Sequence, residues 1–596
     1  MHHAVARDKK ITALSLGTGI LIRINTKVQV CDFVLTAQRP WLQFYPKGVG
    51  ASIEYPFIPV FDLLERSSDK VPNNTALKYQ GQEISYKELN DLASSFASSL
   101  QDLGVKKNGR VALFMPNIPQ FVIAFYGALK AGAIVVPCNP LYKERELEYQ
   151  LKDSGSEVLV ASRDIVRGVE LFESVRKVRD RVKIRHVITT SVTDFLPGIK
   201  RLLAGPVGKI RKVSYPDTID MLGLLKGNKT PGHVDVEPRE DLAVLQYTGG
   251  TTGISKGAML THFNLVCNAV MAAVWLPVYP TDVALAVIPL FHIYGLTTAM
   301  NAEISQGATS VLLPRFDVEN VMETIQKERV TFFPGVPTMY VAIVNHPRAG
   351  KYSLTSIRAC FSGAAPLPVA VMKRFMEITG GNMVEGYGLT EASPVTHCNP
   401  PDSREKVRAG SIGIPFPDTD SKIVDLERWE RDLAPGEVGE LAVRGPQVMK
   451  GYWQRADETA NVLKDGWLLT GDIAKMDEDG YFYIVDRKKD LIDAAGYKVW
   501  PREVEEVLFE HPAVKEAAII GVPDPYRGET VKAFITLKEG YEGRVTDQEI
   551  IQFCRDRIAA YKVPKIVEFR KELPKTLIGK VLRRALREEQ ITQKPT

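Results

Sequence analysis

Apolar residues recur at helical spacing over Tyr86–Leu103 and again from about Ile118 to Leu129, whereas Arg110–Phe114 and Ile134–Pro137 are short unbroken apolar runs. Positions three and four apart mark one helix face, and short apolar runs between polar stretches mark buried strands. Pro119 suits the first turn of the second helix, where its missing N–H costs nothing. Strand–helix alternation from Trp41 to about residue 190 therefore predicts βαβ units around a largely parallel sheet. The same pattern predicts strands at Leu242–Leu245 and Ala258–Leu260, then a helix from about His262 to Trp275 capped by Thr261. An apolar strand is expected over Val287–Gly295 (VIPLFHIYG), another over Arg358–Phe361, and a hairpin over Ile473–Val485 with its turn at Asp477–Gly480. Towards the C-terminus, Pro501 should open a helix with Val504, Val507 and Leu508 on one face, ending before Pro512. Strands at Ala517–Val522 and Val531–Leu537 and an amphipathic helix over Glu549–Ala560 complete the pattern. Phe121–Pro137 is the most apolar stretch, but Lys130 interrupts it and it is too short to span a bilayer.

Length and charge narrow the class without naming a function. At 596 residues more than one domain is expected, and 45% apolar with 25% charged residues is ordinary for a soluble protein. A net charge of +5, from 76 basic against 71 acidic residues, is too slight to argue for nucleic acid. The six cysteines are scattered without a C-x-x-C pair, which suits a reducing cytoplasm and gives neither a disulfide framework nor a cysteine metal site. Residues 1–37 fit poorly with the rest of the chain. Arg7, Lys9 and Lys10 before Ile11–Ile22 imitate a signal peptide, but no small-residue cleavage site comes after them. A disordered extension, or one preceding a true start near Val34 or Leu35, is expected there. Residues 195–213 mix apolar side chains with Lys200, Arg201, Lys209, Arg211 and Lys212, and read either as a basic segment on a membrane surface or as a solvated insertion loop. Pro197 and Pro206 favour the loop. Nothing in the pattern separates a homodimer from a monomer.

Chemistry concentrates in Gln246–Gly257, QYTGGTTGISKG. Glycines let a backbone turn sharply and bring its N–H groups close to an anion; hydroxyls and Lys256 add donors and positive charge. Such a loop can hold phosphates, although a Gly/Thr/Ser cluster can also be plain surface. It is not a Walker A loop, because Lys256 is followed by Gly257 and a strand rather than by Ser or Thr and a helix. Further downstream stand SGAAP (362–366), EGYGLTEASP (385–394), GWLLTGD (466–472), DRKKD (486–490), GYKVWPREVE (496–505) and LPKTLIGKVLRR (573–584). Each has a bland reading: strand-end packing, a helix cap, a solvated charge run, a basic terminal helix.

Taken in this order, the stretches resemble the signature of the adenylate-forming enzymes, which include acyl-CoA synthetases, luciferases and peptide-synthetase adenylation domains. The resemblance covers roughly residues 38–590 and implies an α/β fold: a large N-terminal domain of layered sheets flanked by helices (38–486) and a small mobile α+β C-terminal domain (487–596). The hinge falls at about 486–490, on Lys489. It implies ATP, Mg²⁺ and CoA as reactants, with Thr248, Gly249, Gly250, Thr251, Thr252, Gly253 and Lys256 around the phosphates. Gly363, Ala364 and Ala365 would contact adenine, Tyr387 would stack on the adenine or ribose region, Glu385, Gly386 and Gly388 would belong to the same ATP/AMP site, and Asp472 and Arg487 would bind ribose. Thr390 would donate to the α-phosphate, Glu391 with Thr248 would hold the metal, and Lys580 would be the catalytic lysine. Gly496, Tyr497 and Lys498 correspond to the CoA segment, where Asp493 departs from relatives carrying Lys. His292 matches a His or aromatic position beside the substrate carboxylate.

DRKKDLI, WPREVE, GVPDPYRGETVKAF and LPKTLIGK are most similar to bacterial long-chain fatty-acid–CoA ligases. Small or apolar residues at Trp275, Gly295, Gly335, Val336 and Met339 suit an alkyl chain, and no acid stands there to recognise an amino acid. Medium-chain or aryl acids remain open. A non-catalytic nucleotide-binding protein on this fold would be expected to lack Lys580, Glu391 or the loop threonines, and all are present. The implied location is cytoplasmic, with the inner membrane face open.

Overall fold

Helix α1 (Tyr86–Asp102) starts where Ser85 accepts the amide of Glu88 at 3.2 Å, and it buries Leu89, Ala93, Phe96, Ala97 and Leu100 along one face. Strand β1 (Arg110–Phe114), the wholly buried helix α2 (Pro119–Lys130), strand β2 (Ile134–Cys138), helix α3 (Glu144–Ser154) and strand β3 (Val158–Ser162) come next, as the pattern predicts. In this computed structural model the described residues are 39–166, 169–170, 172–198, 210–227, 229–248, 255–494, 497–524, 528–575 and 581–592. The expectations for residues 1–37 and for most of 195–213 lie outside them.

Strands β4 (Leu242–Thr248) and β5 (Lys256–Thr261) enclose the Gly-rich loop, and α4 (His262–Trp275) begins with a reciprocal cap. Thr261 Oγ1 accepts the Asn264 amide at 3.1 Å, and Asn264 Oδ1 accepts the Thr261 amide at 2.9 Å. One sheet runs 219–220, 186–190, β3, β1, β2, β4, β5, 451–452; it is parallel as far as β4 and antiparallel beyond. Alternation along its strands divides the side chains between two cores. Val111 and Leu113 join the main core with α1 and α2, whereas Ala112 and Phe114 face Leu147 and Leu151 of α3.

A second sheet carries β6 (Phe332–Gly335), β7 (Ala359–Ser362) and β8 (Asn382–Gly388) as parallel neighbours. It shares the main core with the first sheet. A third, antiparallel sheet holds β9 (Trp467–Met476) and β10 (Phe482–Arg487). The small C-terminal part has its own sheet and core: Val504 and Leu508 of α5 (Pro501–Phe509) pack with Ile519 of β11 (Val514–Asp524) and Ile535 of β12 (Gly528–Leu537). Helix α6 (Arg583–Thr592) closes the series.

The structure corrects several expectations. VIPLFHIYG is not a strand: the strand stops at Ala286, and His292 caps a short helix, Ile293–Leu296. The first strand of the predicted Ile473–Val485 hairpin begins earlier, at Trp467, so that Asp472 lies within β9. The amphipathic helix of the C-terminal part, Asp547–Arg555, ends before the predicted Ala560. The charge run 486–490 is not simply solvated, since Asp486 and Asp490 are buried. Among the described residues no helix is long and apolar enough to cross a membrane.

Glu303 is fully buried in the main body, and neither carboxyl oxygen has a hydrogen-bond partner among the described residues. Burial holds its carboxyl well above the ordinary carboxylate range. A folded state that keeps this proton loses stability as pH rises from the unfolded value of 4.5 towards the folded one, at about 1.4 kcal/mol per pH unit. Glu303→Gln should therefore match the wild type in urea unfolding at pH 4.5 and exceed it increasingly as pH rises above that value. A difference independent of pH would refute this assignment.

Candidate active site

The neck of the Gly-rich loop is built by the pairing of β4 with β5, which sets Thr248 opposite Lys256. Ser255 Oγ donates to the Thr248 carbonyl at 2.8 Å and closes it. Gly249, Gly250, Thr251, Thr252 and Gly253 lie outside the described residues. The Lys256 ammonium pairs with Glu458 and sits 5.1 Å from the centre of the Tyr452 ring. Burial lowers its pKa; Glu391 opposes this and Arg455 adds to it.

Glu391 comes to the same place from the other sheet. It sits in the turn Thr390–Ala392 that succeeds β8, and the Met449 amide fixes its carbonyl at 2.8 Å. The Tyr452 hydroxyl donates to its Oε1 at 2.7 Å, so Tyr452 touches both Glu391 and Lys256. Thr390 beside it is half-buried. The turn demands glycine at 388, where a Cβ would meet the Pro394 carbonyl oxygen at 2.1 Å. At Gly386 a Cβ would meet the Phe361 ring at 2.2 Å. Glu385 is buried, its Oε2 has no hydrogen-bond partner among the described residues, and burial pushes its carboxyl up to about 7 against the pull of Arg502 and a backbone amide.

Asp472 of β9 is shared by two partners: Tyr387 Oη donates to Oδ2 at 2.5 Å, and Arg487 Nε lies 3.1 Å from Oδ1. Its strand register places it directly opposite Arg487. Two residues beyond Arg487, Lys489 is held below its ordinary pKa by burial and Arg487, against Asp490 and Asp472. Gly363 packs its backbone against the Tyr294 ring, and Ala364 adopts φ 71°, a conformation that side chains rarely take outside tight functional turns. Ala365 is next in the same turn. His292 joins β4 through its neighbour, since Gln246 Nε2 donates to the Phe291 carbonyl at 3.0 Å. Its own Nδ1 accepts the Tyr294 amide at 3.2 Å.

The acyl candidates are set close to, or within, the main core of the described residues. Gly295 and Gly335 are small because protein atoms fill the space: a Cβ would meet the Pro289 carbonyl oxygen at 2.3 Å and the Tyr340 ring at 2.8 Å, respectively. That packing by itself explains glycine at these two positions. Val336 and Met339 are buried beside Gly335 in the main core. Trp275 is buried, donates to the Asn399 carbonyl at 3.2 Å, and lines an enclosed apolar cavity of about 10 Å³ with Phe332 and Phe361.

In the small part, Tyr497 is exposed and stacks on Tyr561 at 4.9 Å. Lys498 pairs with Asp493 at 2.6 Å, which accounts for the acid there. Gly496 and Lys580 lie outside the described residues, and the ends of the Lys580 segment meet as a bridge between Lys575 and Val581. Sequence reasoning missed Tyr452, Glu458 and Asp153. Each reaches the site from a distant segment, and no local pattern marks them.

This geometry sets the neck of the Gly-rich loop at the end of β4, the Glu391 carboxylate after β8 and the Asp472–Arg487 pair of the third sheet around one place, with Arg487 within electrostatic reach of Glu391. The chain belongs to the AMP-binding enzyme family, matching it over residues 64–453 and matching the family's C-terminal domain over 503–580. It is 46% identical over 567 residues to the long-chain-fatty-acid–CoA ligase of Bacillus subtilis (strain 168), covering 93% of this chain and 99% of that protein. To the ligase of the same name from Salmonella typhimurium (strain LT2) it is 40% identical, covering 93% and 98%. Among solved structures it is similar to the anthranilate CoA ligase AuaEII in complex with anthranoyl-AMP, with TM-score 0.78 and 29% identity over 90% of this chain and 97% of that one.

Gly388→Ala should force the hairpin apart and destabilise the protein by about 3 kcal/mol, with AMP affinity falling alongside. Thermal unfolding and AMP titration check both; an unchanged Tm would mean that the turn relaxes freely.

Proposed function

We propose that the protein is a long-chain fatty-acid–CoA ligase, activating the acid with ATP and passing the acyl group to CoA. The reading is carried by Lys256 and Glu391 meeting at Tyr452 while Arg487, paired with Asp472, lies within electrostatic reach of Glu391. The acid class rests on identity with the Bacillus ligase along nearly its whole length.

In this reading Asp472 accepts the ribose hydroxyls, Arg487 holds it in place, and Tyr387 packs against the nucleoside. The turn 363–365 and residues 385–388 bound the adenine. Thr390 donates to the α-phosphate. Among the described residues no cluster of three or more His, Cys, Asp or Glu could hold a metal alone. A single hard carboxylate at Glu391 fits Mg²⁺, which takes one or two carboxylates and completes its shell with phosphate oxygens and water. Held by Glu391 and Thr248, Mg²⁺ would offset phosphate charge. The substrate carboxylate, beside His292, attacks the α-phosphorus, and the bond to pyrophosphate breaks; Lys580 stabilises the charge that develops. The CoA thiol, losing its proton, then attacks the acyl carbon, and the bond to AMP breaks.

The small domain (487–596) turns on Lys489 between the two steps, withdrawing Lys580 and presenting Gly496, Tyr497 and Lys498 to CoA. Separate sheets and separate cores for the two parts support this division. The basic segment 195–213 would let a cytoplasmic enzyme meet its substrate at the inner membrane face. An aryl acid is the second reading, favoured by the closed packing at Gly295 and Gly335 and by likeness to the anthranilate ligase.

Pyrophosphate release with ATP–Mg²⁺ and acids from acetate to oleate, plus benzoate, should peak at long chains. Lys580→Ala should lower it by at least about 100-fold, while preformed acyl-AMP still reacts with CoA. A benzoate peak would select the aryl reading, and no release with any acid would end both.

A further inference from the structure

The loop neck is anchored by a carboxylate that the proposed reaction does not use. Asp153 lies in the last turn of α3, with its side chain only 12% exposed. One of its oxygens accepts from the Tyr247 hydroxyl at 2.7 Å and the other from Arg455 Nη2 at 2.8 Å. Its main-chain oxygen accepts the Trp453 indole N–H at 3.1 Å. Tyr149, one turn earlier on the same helix, lies 3.3 Å from this carboxylate and donates to the Ser255 carbonyl at 2.8 Å.

Tyr247 leads into Thr248 and Ser255 leads into Lys256, so both strands of the neck are tied to one helix end. A side chain at Gly257 would press on the Tyr247 ring at 3.2 Å, and the Trp453 amide holds the Gly257 carbonyl at 2.8 Å. Charges then alternate towards the loop lysine: Asp153, Arg455, Glu458 at 3.9 Å from Arg455, and Lys256. Glu458 loses its partner when Lys256 turns to a phosphate, and Arg455, braced by Asp153, stays beside it.

We propose that Asp153 is a positioning residue for the neck of this loop, fixing the strand ends that carry Thr248 and Lys256 so that these two side chains are set for the outer phosphates of ATP. The inference rests on reading residues 248–256 as the ATP phosphate loop. Charge-assisted bonds from two elements to one carboxylate give the stiffness that preorganised binding needs. AMP lacks the outer phosphates and should be indifferent to the brace.

Calorimetric titration of the full chain with ATP–Mg²⁺ and with AMP tests this on wild type, Asp153→Asn and Tyr149→Phe. Asp153→Asn should raise the Kd for ATP about tenfold and leave AMP within about twofold. Tyr149→Phe, which cuts the tie to Ser255 and the hydroxyl's contacts with Asp153 and Arg455 but leaves the carboxylate and its bonds to Tyr247 and Arg455 in place, should show the same selectivity with a smaller rise. Equal weakening of both nucleotides, or no change in either, overturns the proposal. If Asp153→Asn does not fold, Tyr149→Phe decides by the same split. A wild type that binds ATP yet releases no pyrophosphate with any acid ends the ligase reading alone, whereas one that binds neither nucleotide ends both.

Discussion

The antiparallel pairing of β4 with β5 is the constraint on which the site depends. β4 is a buried strand at the end of a parallel series, and its partner must return beside it within a few residues. That return, from Thr248 to Lys256, stands at a strand end, where open α/β sheets bind ligands. Once the return is there, its polar neighbours are dictated by charge. Lys256 cannot be partly buried without a counter-ion, so Glu458 and, through Tyr452, Glu391 are drawn to it. The segment 451–455 supplies Tyr452, Trp453 and Arg455 together because residues 451–452 add the next strand to β5.

The small part is held by a second electrostatic solution. Arg583, opening α6, contacts Asp486 at 3.1 Å, Asp490 at 3.0 Å and Glu505 at 2.7 Å, while Arg587 takes the other oxygen of Asp490 at 2.9 Å. Burial pulls the Arg583 pKa down, but Glu505 and Asp486 more than offset this and leave it above its ordinary value. Removing one partner of such a cluster leaves an uncompensated charge, which costs more than the pair itself contributes. Asp486 belongs to β10 and Glu505 to α5, so this cluster spans the junction read in the sequence as a hinge. The acids of DRKKD are buried for that reason.

Much of the fold was legible because its causes are local. The cap at Thr261, the proline opening α2 and the turn at Asp477–Gly480 act within a few residues; the two helices appear with ends within a residue or two, and the hairpin keeps its turn although its first strand begins earlier, at Trp467. Errors arose where tertiary pairing overrode pattern. VIPLFHIYG has the composition of a strand, yet His292 turns to cap Ile293–Leu296. Asp472 precedes the hairpin that the pattern predicts, yet it is drawn into β9 opposite Arg487.

The sequence by itself determined the alternating α/β plan, the loop chemistry of QYTGGTTGISKG and the order of the remaining motifs, because these depend on residue type and short spacing. Only the tertiary structure decided which side chains meet. Asp153 and Arg455 are 302 residues apart, Glu391 and Tyr452 are 61 apart, and Asp486 and Arg583 are 97 apart. It also decided that Gly295 and Gly335 make room for a proline carbonyl and a tyrosine ring. Local preference reaches only a turn or so along the chain, whereas partner choice between distant segments depends on how whole sheets and helices fill one core.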